Sequence, residues 1–470
     1  MKLTFNVSRE WMPPFQLVTL QLDSCNIANG FPQWLRNQRK IEMLVLSNAT
    51  VSGPLPTWLQ KMPVIPFLDL SHNKLTGPLV NLPNGGNVNF FGQVFARGLL
   101  LQNNLFNGSI PRSLCTRTDL QYLDLAKNRL TGKIPNCFEN LRNLVVMRFN
   151  SNRLCGVIPS SVALNSLKRL RLNGNNFTGE LPRELGNLRD LQVLDVDCLE
   201  KYRVWIGGNL TSLIILRLHK NNFTGRIPRT LCKTPKLQIL DVAYNNLRGT
   251  IPHCLGELAA MVRSEIEFLI DPDFDESLIQ VMKGVELEYT KNLALLFNMD
   301  LSSNKLVGEI PDKLTALCML VGLNLSNKHL SGGIPGSIGN LMALNSLDLS
   351  RNELIGRIPP SMAALTFLSH LNLSQNNLSG RIPTGNQLQT LIDPSIYMGN
   401  NDLCGPPLPK GCSNPEDPTT TTTTSKKKYE AADEDMVLRE HNEWLWNRVL
   451  GCYWSIVVQE ALETEAFHVC

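Results

Sequence analysis

One pattern constrains this chain more than any other: pairs of aliphatic residues spaced two apart, returning almost every 24 residues. The first members of the pairs are Leu20, Leu44, Leu68, Leu99, Leu123, Met147, Leu170, Leu194, Leu216, Leu240, Met299, Leu323, Leu347 and Leu371. Nine of the thirteen steps between them are 24 residues. A fixed period of this length means stacked units, because no single unit can bury its own apolar set. The chain is therefore expected to grow in one dimension, so its length of 470 residues does not translate into a domain count.

The unit from Leu120 to Asn143 (LQYLDLAKNRLTGKIPNCFENLRN) shows what each position does. Leu123 and Leu125 lie on one face of a short strand and point inward. The residues between and beside them face solvent on a concave sheet. Asn128 ends the strand, where its amide can satisfy backbone groups and stack into a ladder with its copies. Leu130 and Ile134 refill the core, Gly132 permits the turn between them, and Pro135 suits a segment that donates no sheet bond. Phe138 and Leu141 have helical spacing and cover the convex side. The expected fold is an α/β solenoid of about 14 such repeats, a right-handed superhelix with a parallel concave sheet and short helices or 3-10 turns outside.

Departures from the pattern divide the chain. Cys25, Ala49 and Lys328 stand where the ladder asparagine belongs. The unit at Leu194 (DVDCLEKYRVWIGGNL) lacks the Gly-x-Ile-Pro half, so irregularity is expected there. The step from Leu240 to Met299 is 59 residues, a repeat plus an insertion. Residues 1–254 thus read as one repeat block, 255–294 as an island loop, 295–383 as a second block and 384–412 as a terminal cap. The remainder, 413–470, with six consecutive threonines from Thr419 to Thr424, reads as a disordered linker and an atypical tail. Long insertions in solenoids emerge on one face and are either functional or disordered.

Twelve cysteines without zinc spacing fit an oxidising compartment. Cys115 and Cys232 each lie eleven residues after a ladder asparagine, and Cys137 and Cys254 nine after the next one. Adjacent coils are ~4.8 Å apart, within disulfide reach, so Cys115–Cys137 and Cys232–Cys254 bridges are expected, the alternative being buried thiols. Cys404 and Cys412 are close enough to pair across a Gly/Pro turn. Cys25, Cys155, Cys198 and Cys318 read as core or ladder residues. Sequons at Asn6, Asn48, Asn107, Asn176, Asn209, Asn222 and Asn377 are candidate glycosylation sites. Asn324 and Asn372 also lie in sequons, but on concave strand positions where a glycan would obstruct docking.

A net charge of +4 is too small to argue for nucleic acid. The first residues lack an apolar core of signal-peptide length. The late apolar run from Leu450 to Val458 falls short of the ~20 residues of a membrane helix. No nucleotide loop, zinc-protease, nucleophile-elbow or kinase motif is present, so neither an enzyme nor a cofactor is expected. Binding belongs on the concave strands. Arg148, Arg169, Arg171, Arg217, His219 and Lys220 form a basic stripe there. Like charges facing one another across strands are destabilising, which points to an anionic ligand such as an acidic peptide or pectic oligosaccharide. The plainer reading is that exposed strand positions must be polar.

The LxxLxLxxNxLxGxIP unit, the opening FNVSREWMPPFQL, the VMKGVELEYT insertion and the GNNDLCGPPLP cap together resemble plant leucine-rich-repeat receptor-like proteins, over residues 1 to 412. The resemblance implies a cell-surface receptor without a kinase. It would bind a peptide, protein or oligosaccharide ligand and signal through a partner receptor kinase in defence or development. That co-receptor is implied to meet the insertion and the last repeats, where Asp300, Ser302, Ser326, Asp348, Ser350 and Ser374 offer a small polar surface. Family members carry a signal peptide, a capped start and a membrane helix. Against them this sequence reads as truncated at the N-terminus and altered at the C-terminus. An inhibitor or decoy resembling polygalacturonase-inhibiting proteins, and a non-functional fragment, are the alternatives. Those inhibitors lack the insertion.

Overall fold

The computed structural model describes residues 3–8, 11–27, 30–83, 96–164, 166–197, 208–262, 278–290, 293–385 and 387–412. The tail expected over 413–470, two stretches of the island (263–277 and 291–292) and Cys198 lie outside the described residues. All fourteen pair positions fall in one row of a single 14-stranded parallel sheet, Leu20 beside Leu44 at one end and Leu347 beside Leu371 at the other. From Leu44 to Leu371 every residue of that row is 3% exposed or less. The row holds across the island: Leu240 pairs directly with Met299. Outside the sheet most coils carry a short 3-10 turn. Asn136–Asn140 is typical, with Pro135 just before it and Phe138 buried.

What fastens coil to coil is the asparagine amide. Asn128 Oδ1 accepts the Phe106 N–H of the preceding coil at 3.0 Å. Its Nδ2 donates to Leu101 O of that coil (2.9 Å) and to Leu125 O and Ala126 O of its own. Asn104, Asn152, Asn245, Asn304, Asn352 and Asn376 repeat the arrangement. Buried backbone groups left unpaired cost about 1–3 kcal/mol each, so one side chain per turn settles several such costs. The residue just before the asparagine is held at positive φ, as in Lys127 (53°), Ser151 (58°) and Arg351 (54°). That conformation is costly for a side chain outside glycine and recurs because the ladder fixes the turn. Ala49 has no amide to give, and Asn73 Oδ1 accepts both the Ala49 and Val51 N–H groups.

The C-terminal end differs from expectation. The repeat does not stop at Pro383. A further degenerate coil follows, in which Leu373 N–H bonds Ile396 O, Gln375 N–H bonds Met398 O, and Asn400 is the last rung. Tyr397, 2% exposed, fills the apolar slot that a leucine takes elsewhere. At the other end, Trp11 packs edge-on to Trp34 (centroids 5.3 Å apart) and Phe5 tilts against the same ring. This aromatic cluster covers part of the first coil, whose Leu20 and Leu22 are only half-buried. Leu3, Met12, Phe15 and Val18 stay exposed.

Disulfides join Cys115 to Cys137, Cys232 to Cys254 and Cys404 to Cys412, with Cα separations of 5.8, 5.6 and 5.1 Å. The first two tie neighbouring coils on the convex side. Cys25 is buried and Cys318 half-buried, but Cys155 is exposed on its strand and belongs to neither core nor ladder.

Lys328 is the charged rung of the ladder. It is 5% exposed, and its Nζ has no hydrogen-bond partner. Lacking an acceptor, it cannot take the Leu306 N–H as an asparagine would. Burial pulls its pKa down to about 7, opposed by the Asp300 carboxylate. The folded state therefore holds fewer protons than the unfolded chain between that value and the usual lysine range, so stability rises with pH across this window. Lys328→Asn is expected to raise stability by about 1–3 kcal/mol. Thermal melts should show the gain largest below pH 7 and shrinking as pH rises toward 10; equal or lower Tm for the variant at pH 6 contradicts this account.

Candidate functional site

Two columns of side chains face the hollow of the solenoid. The column that follows the pair row runs Asp69, Leu100, Asp124, Arg148, Arg171, Asp195, Arg217, Asp241, Asp300, Asn324, Asp348 and Asn372, each beside the next on neighbouring strands. The arginines of the expected basic stripe are thus flanked by aspartates, Arg148 and Arg171 standing side by side between Asp124 and Asp195 and Arg217 standing between Asp195 and Asp241. Arg148 meets Asp124 at 3.4 Å, and Arg217 bridges Asp195 (3.3 Å) and Asp241 (3.2 Å). His219 Nδ1 lies 3.2 Å from Asp241 Oδ1 and edge-on to the Tyr244 ring. Arg169 and Arg171 are each 5% exposed. Lys220 is not on the strand at all; it occupies the positive-φ position before Asn221, at the sheet edge. The repulsion from which an anionic ligand was argued is therefore met inside the chain. Burial raises the pKa of Asp124 and of Asp195, opposed in each by its arginine neighbours.

The first column reads differently. It precedes the pair row and mixes small, polar and apolar residues, and Val193, Ile215 and Ile239, on three successive strands, are aliphatic and fully covered. Their cover comes from the island. Residues Leu278–Met282 and Val285–Tyr289 form an antiparallel hairpin around Lys283 and Gly284, both at positive φ, which matches a two-residue type I′ turn. The hairpin folds back into the hollow and packs Leu278 and Met282 on the three aliphatic residues, with Leu293 and Leu296 alongside. Gln280 Oε1 accepts from Asn298 Nδ2 at 2.7 Å, and the Lys283 N–H reaches Ser346 Oγ at 3.2 Å. Gly322 leaves room for Met282, since a Cβ there would strike its sulfur. On the far side Glu288 ion-pairs with Lys127 at 3.2 Å.

Two cavities result. The larger, about 840 Å³, runs along the floor from Ser47 to Arg171 and is flanked by Glu288 and Thr290 of the hairpin. The smaller, about 160 Å³, lies at the hairpin tip and is lined by Asp300, Ser302, Asn324, Ser326 and Asp348. The residues expected to receive a co-receptor are thus mostly withdrawn. Asp300, Ser302 and Ser350 are buried, and the Ser326, Ser350 and Ser374 hydroxyls donate to Asn324, Asp348 and Asn372. The physical reason is the hairpin, which occupies the approach to these coils. Asp300, pushed up to about 6 by burial and by the nearby Asp241 carboxylate, sits deepest. Sequence reasoning missed the seat, although three consecutive strands with an aliphatic residue at a solvent position were its signal. Asn6, Asn48, Asn107, Asn176, Asn209, Asn222 and Asn377 are exposed; Asn324 and Asn372 are half-buried in strands.

The family described as Leucine Rich Repeat matches residues 119–141, 166–188, 212–234, 236–258, 343–365 and 367–388. Over 47 residues the chain is 45% identical to Receptor-like protein EIX1 of Solanum lycopersicum and 43% to Receptor-like protein EIX2. The chain carries leucine-rich repeats, and over this stretch it is similar to the receptor-like proteins. The matched stretch is 10% of this chain and 5% of either tomato protein. Among solved structures, the ectodomain of the Arabidopsis receptor kinase HAESA with an extended IDA peptide hormone superposes with a TM-score of 0.64 at 29% identity. That match covers 85% of this chain and 64% of that one. HAESA with IDA and the co-receptor SERK1 gives 0.62 at 29% identity over 83% and 62%. A TDR receptor gives 0.56 at 27% identity over 78% and 65%. The chain thus spans less than two thirds of each. Among the described residues no helix is long and apolar enough to cross a membrane.

If the aliphatic seat holds the hairpin, Ile215→Glu should release it, at a cost of about 2–5 kcal/mol for the lost contacts. Hydrogen–deuterium exchange over 278–290 is expected to accelerate more than about tenfold, with protection over 298–383 unchanged. Lys127→Ala removes only an exposed pair worth about 0–1 kcal/mol and should change little. Equal exchange in Ile215→Glu and the parent protein would show that the seat is not what holds the hairpin.

Proposed function

We propose that the chain is the ligand-binding part of a plant cell-surface receptor-like protein that signals through a partner receptor kinase. The observation that carries this reading is the roofed floor between Ser47 and Arg171: an 840 Å³ hollow on the concave face, closed along one side by a hairpin from the island. It is of the size that small-ligand sites take, about 300–1,000 Å³. Its walls come from rigid strands, which hold a ligand better than loops do. Further support comes from HAESA, solved with a peptide hormone and a co-receptor. The partner kinase meets the solvent-exposed part of the hairpin, where Ile279, Lys283, Val285 and Leu287 are exposed, and not the floor beneath it. The island hairpin also separates this reading from a regular inhibitor solenoid. Nothing in the arrangement calls for catalysis.

The test uses the chain fused to the membrane helix and kinase of a reporter receptor, displayed on plant cells and challenged with fractionated microbial and plant extracts. A dose-dependent response is expected, and Asn150→Trp, which fills the floor, should abolish it at unchanged surface level. A variant that responds as the parent does sinks the assignment of the floor as the ligand seat. Passage through the secretory route makes a second prediction. Glycopeptide mass spectrometry should find glycans at Asn107, Asn176, Asn209, Asn222 and Asn377. Asn324, whose amide donates to Asp300 Oδ2 at 3.2 Å, should be bare. A fully occupied Asn324 is incompatible with a docked hairpin.

A further inference from the structure

We infer that the roofed floor takes a neutral oligosaccharide and that the Phe67 ring is its stacking platform. This rests on reading the floor as the ligand seat and adds the chemical class. The charges in the hollow are already matched. Asp124 holds Arg148, Lys127 holds Glu288, and Arg171 lies in the fields of both Asp124 and Asp195. The Asp69 carboxylate accepts the Ser71 N–H at 2.9 Å. A polyanion would have to break the buried Asp124–Arg148 pair, and a desolvated pair resists that.

What the floor still offers is amide and hydroxyl chemistry. Ser47, Asn48, Gln102, Asn150 and Thr290 line it, and Gln102 Oε1 is a buried acceptor without a hydrogen-bond partner. Amides and hydroxyls present donors and acceptors together, as the neighbouring hydroxyls of a sugar ring require. The polar positions recur at the coil spacing of ~4.8 Å, which suits a polymer of repeated rings over one compact molecule. Phe67 supplies the apolar element. It stands beside Gly98 on the next strand, and a Cβ there would come within 3.1 Å of the ring. The missing side chain lets the ring lie along the sheet, with the half-buried ring facing the hollow. A flat aromatic ringed by amides receives the C–H face of a pyranose while its hydroxyls are satisfied at the rim.

Such an oligosaccharide has two possible sources: one free in solution, or the protein's own glycan on Asn48, which lines the same hollow. Calorimetric titration of the secreted protein with cellohexaose, mannohexaose and hexagalacturonate tests the inference, in the parent and in Thr50→Ala, which removes the Asn48 sequon. A neutral hexasaccharide is expected to bind with little salt dependence. Phe67→Ala should weaken it about tenfold. Gln102→Leu, which keeps the shape of the lane and is checked by its Tm, should weaken it severalfold. Binding by both proteins supports a free ligand, and binding by Thr50→Ala alone supports the resident glycan. The inference falls if hexagalacturonate binds best and is displaced by salt. It falls equally if both floor variants bind as the parent does, or if no neutral probe binds Thr50→Ala at about 10 mM. Should a peptide or protein ligand drive the reporter and Asn150→Trp abolish that response, the floor remains the ligand seat and only the sugar class is lost.

Discussion

A buried asparagine amide, shared between two coils, is the interaction on which the rest of this molecule depends. Leucines alone would stack coils into an oily pile with many registers. The amide permits one register, because Asn128 must reach Phe106 and Leu101 of the coil before it while holding its own turn at Leu125 and Ala126. Hydrophobic burial supplies most of the free energy and the ladder supplies uniqueness. That uniqueness survives the island, since Asn304 bonds Leu247 across 57 positions of sequence with the same geometry.

Once the register is set, the concave surface becomes a matter of columns. Charges far apart in sequence become neighbours: Asp195 and Arg217, or Asp241 and Asp300, stand side by side on adjacent strands. Acid and base largely cancel through the middle of the sheet. The aliphatic run at Val193, Ile215 and Ile239 then breaks the polar face at the point where the hairpin needs a seat. Lid and floor were therefore shaped together, the hairpin contributing Leu278 and Met282 and the sheet contributing Gly322, whose lack of a side chain admits the methionine.

Much of this was legible beforehand. The row of fourteen pair positions, the ladder and the 22-residue cysteine spacing all follow from a period that a reader can count. The basic stripe was misread for a physical reason. Only basic residues were collected, while the aspartates at the same register, Asp124, Asp195 and Asp241, went unread, and a column has meaning only when every strand is entered. The hairpin's fold-back was not countable, because its seat lies on coils that precede it and its contacts with Ser346 and Lys127 lie on either side of it in sequence. The last coil escaped because Tyr397 stands in for a leucine and the period is lost from view.

The ladder also has a direction. Each asparagine serves the N–H and C=O groups of the coil before it, so a coil is complete only when its successor is in place. On a ribosome, where the chain emerges from its N-terminal end, the newest coil always waits one turn, roughly 24 residues, for its closing rung. The protein thus matures as a travelling front with a single unfinished coil at its leading edge. Asn400, the final rung, arrives with the segment that Cys404 and Cys412 then close. The sealing of the solenoid is left to a segment made after all of its other coils.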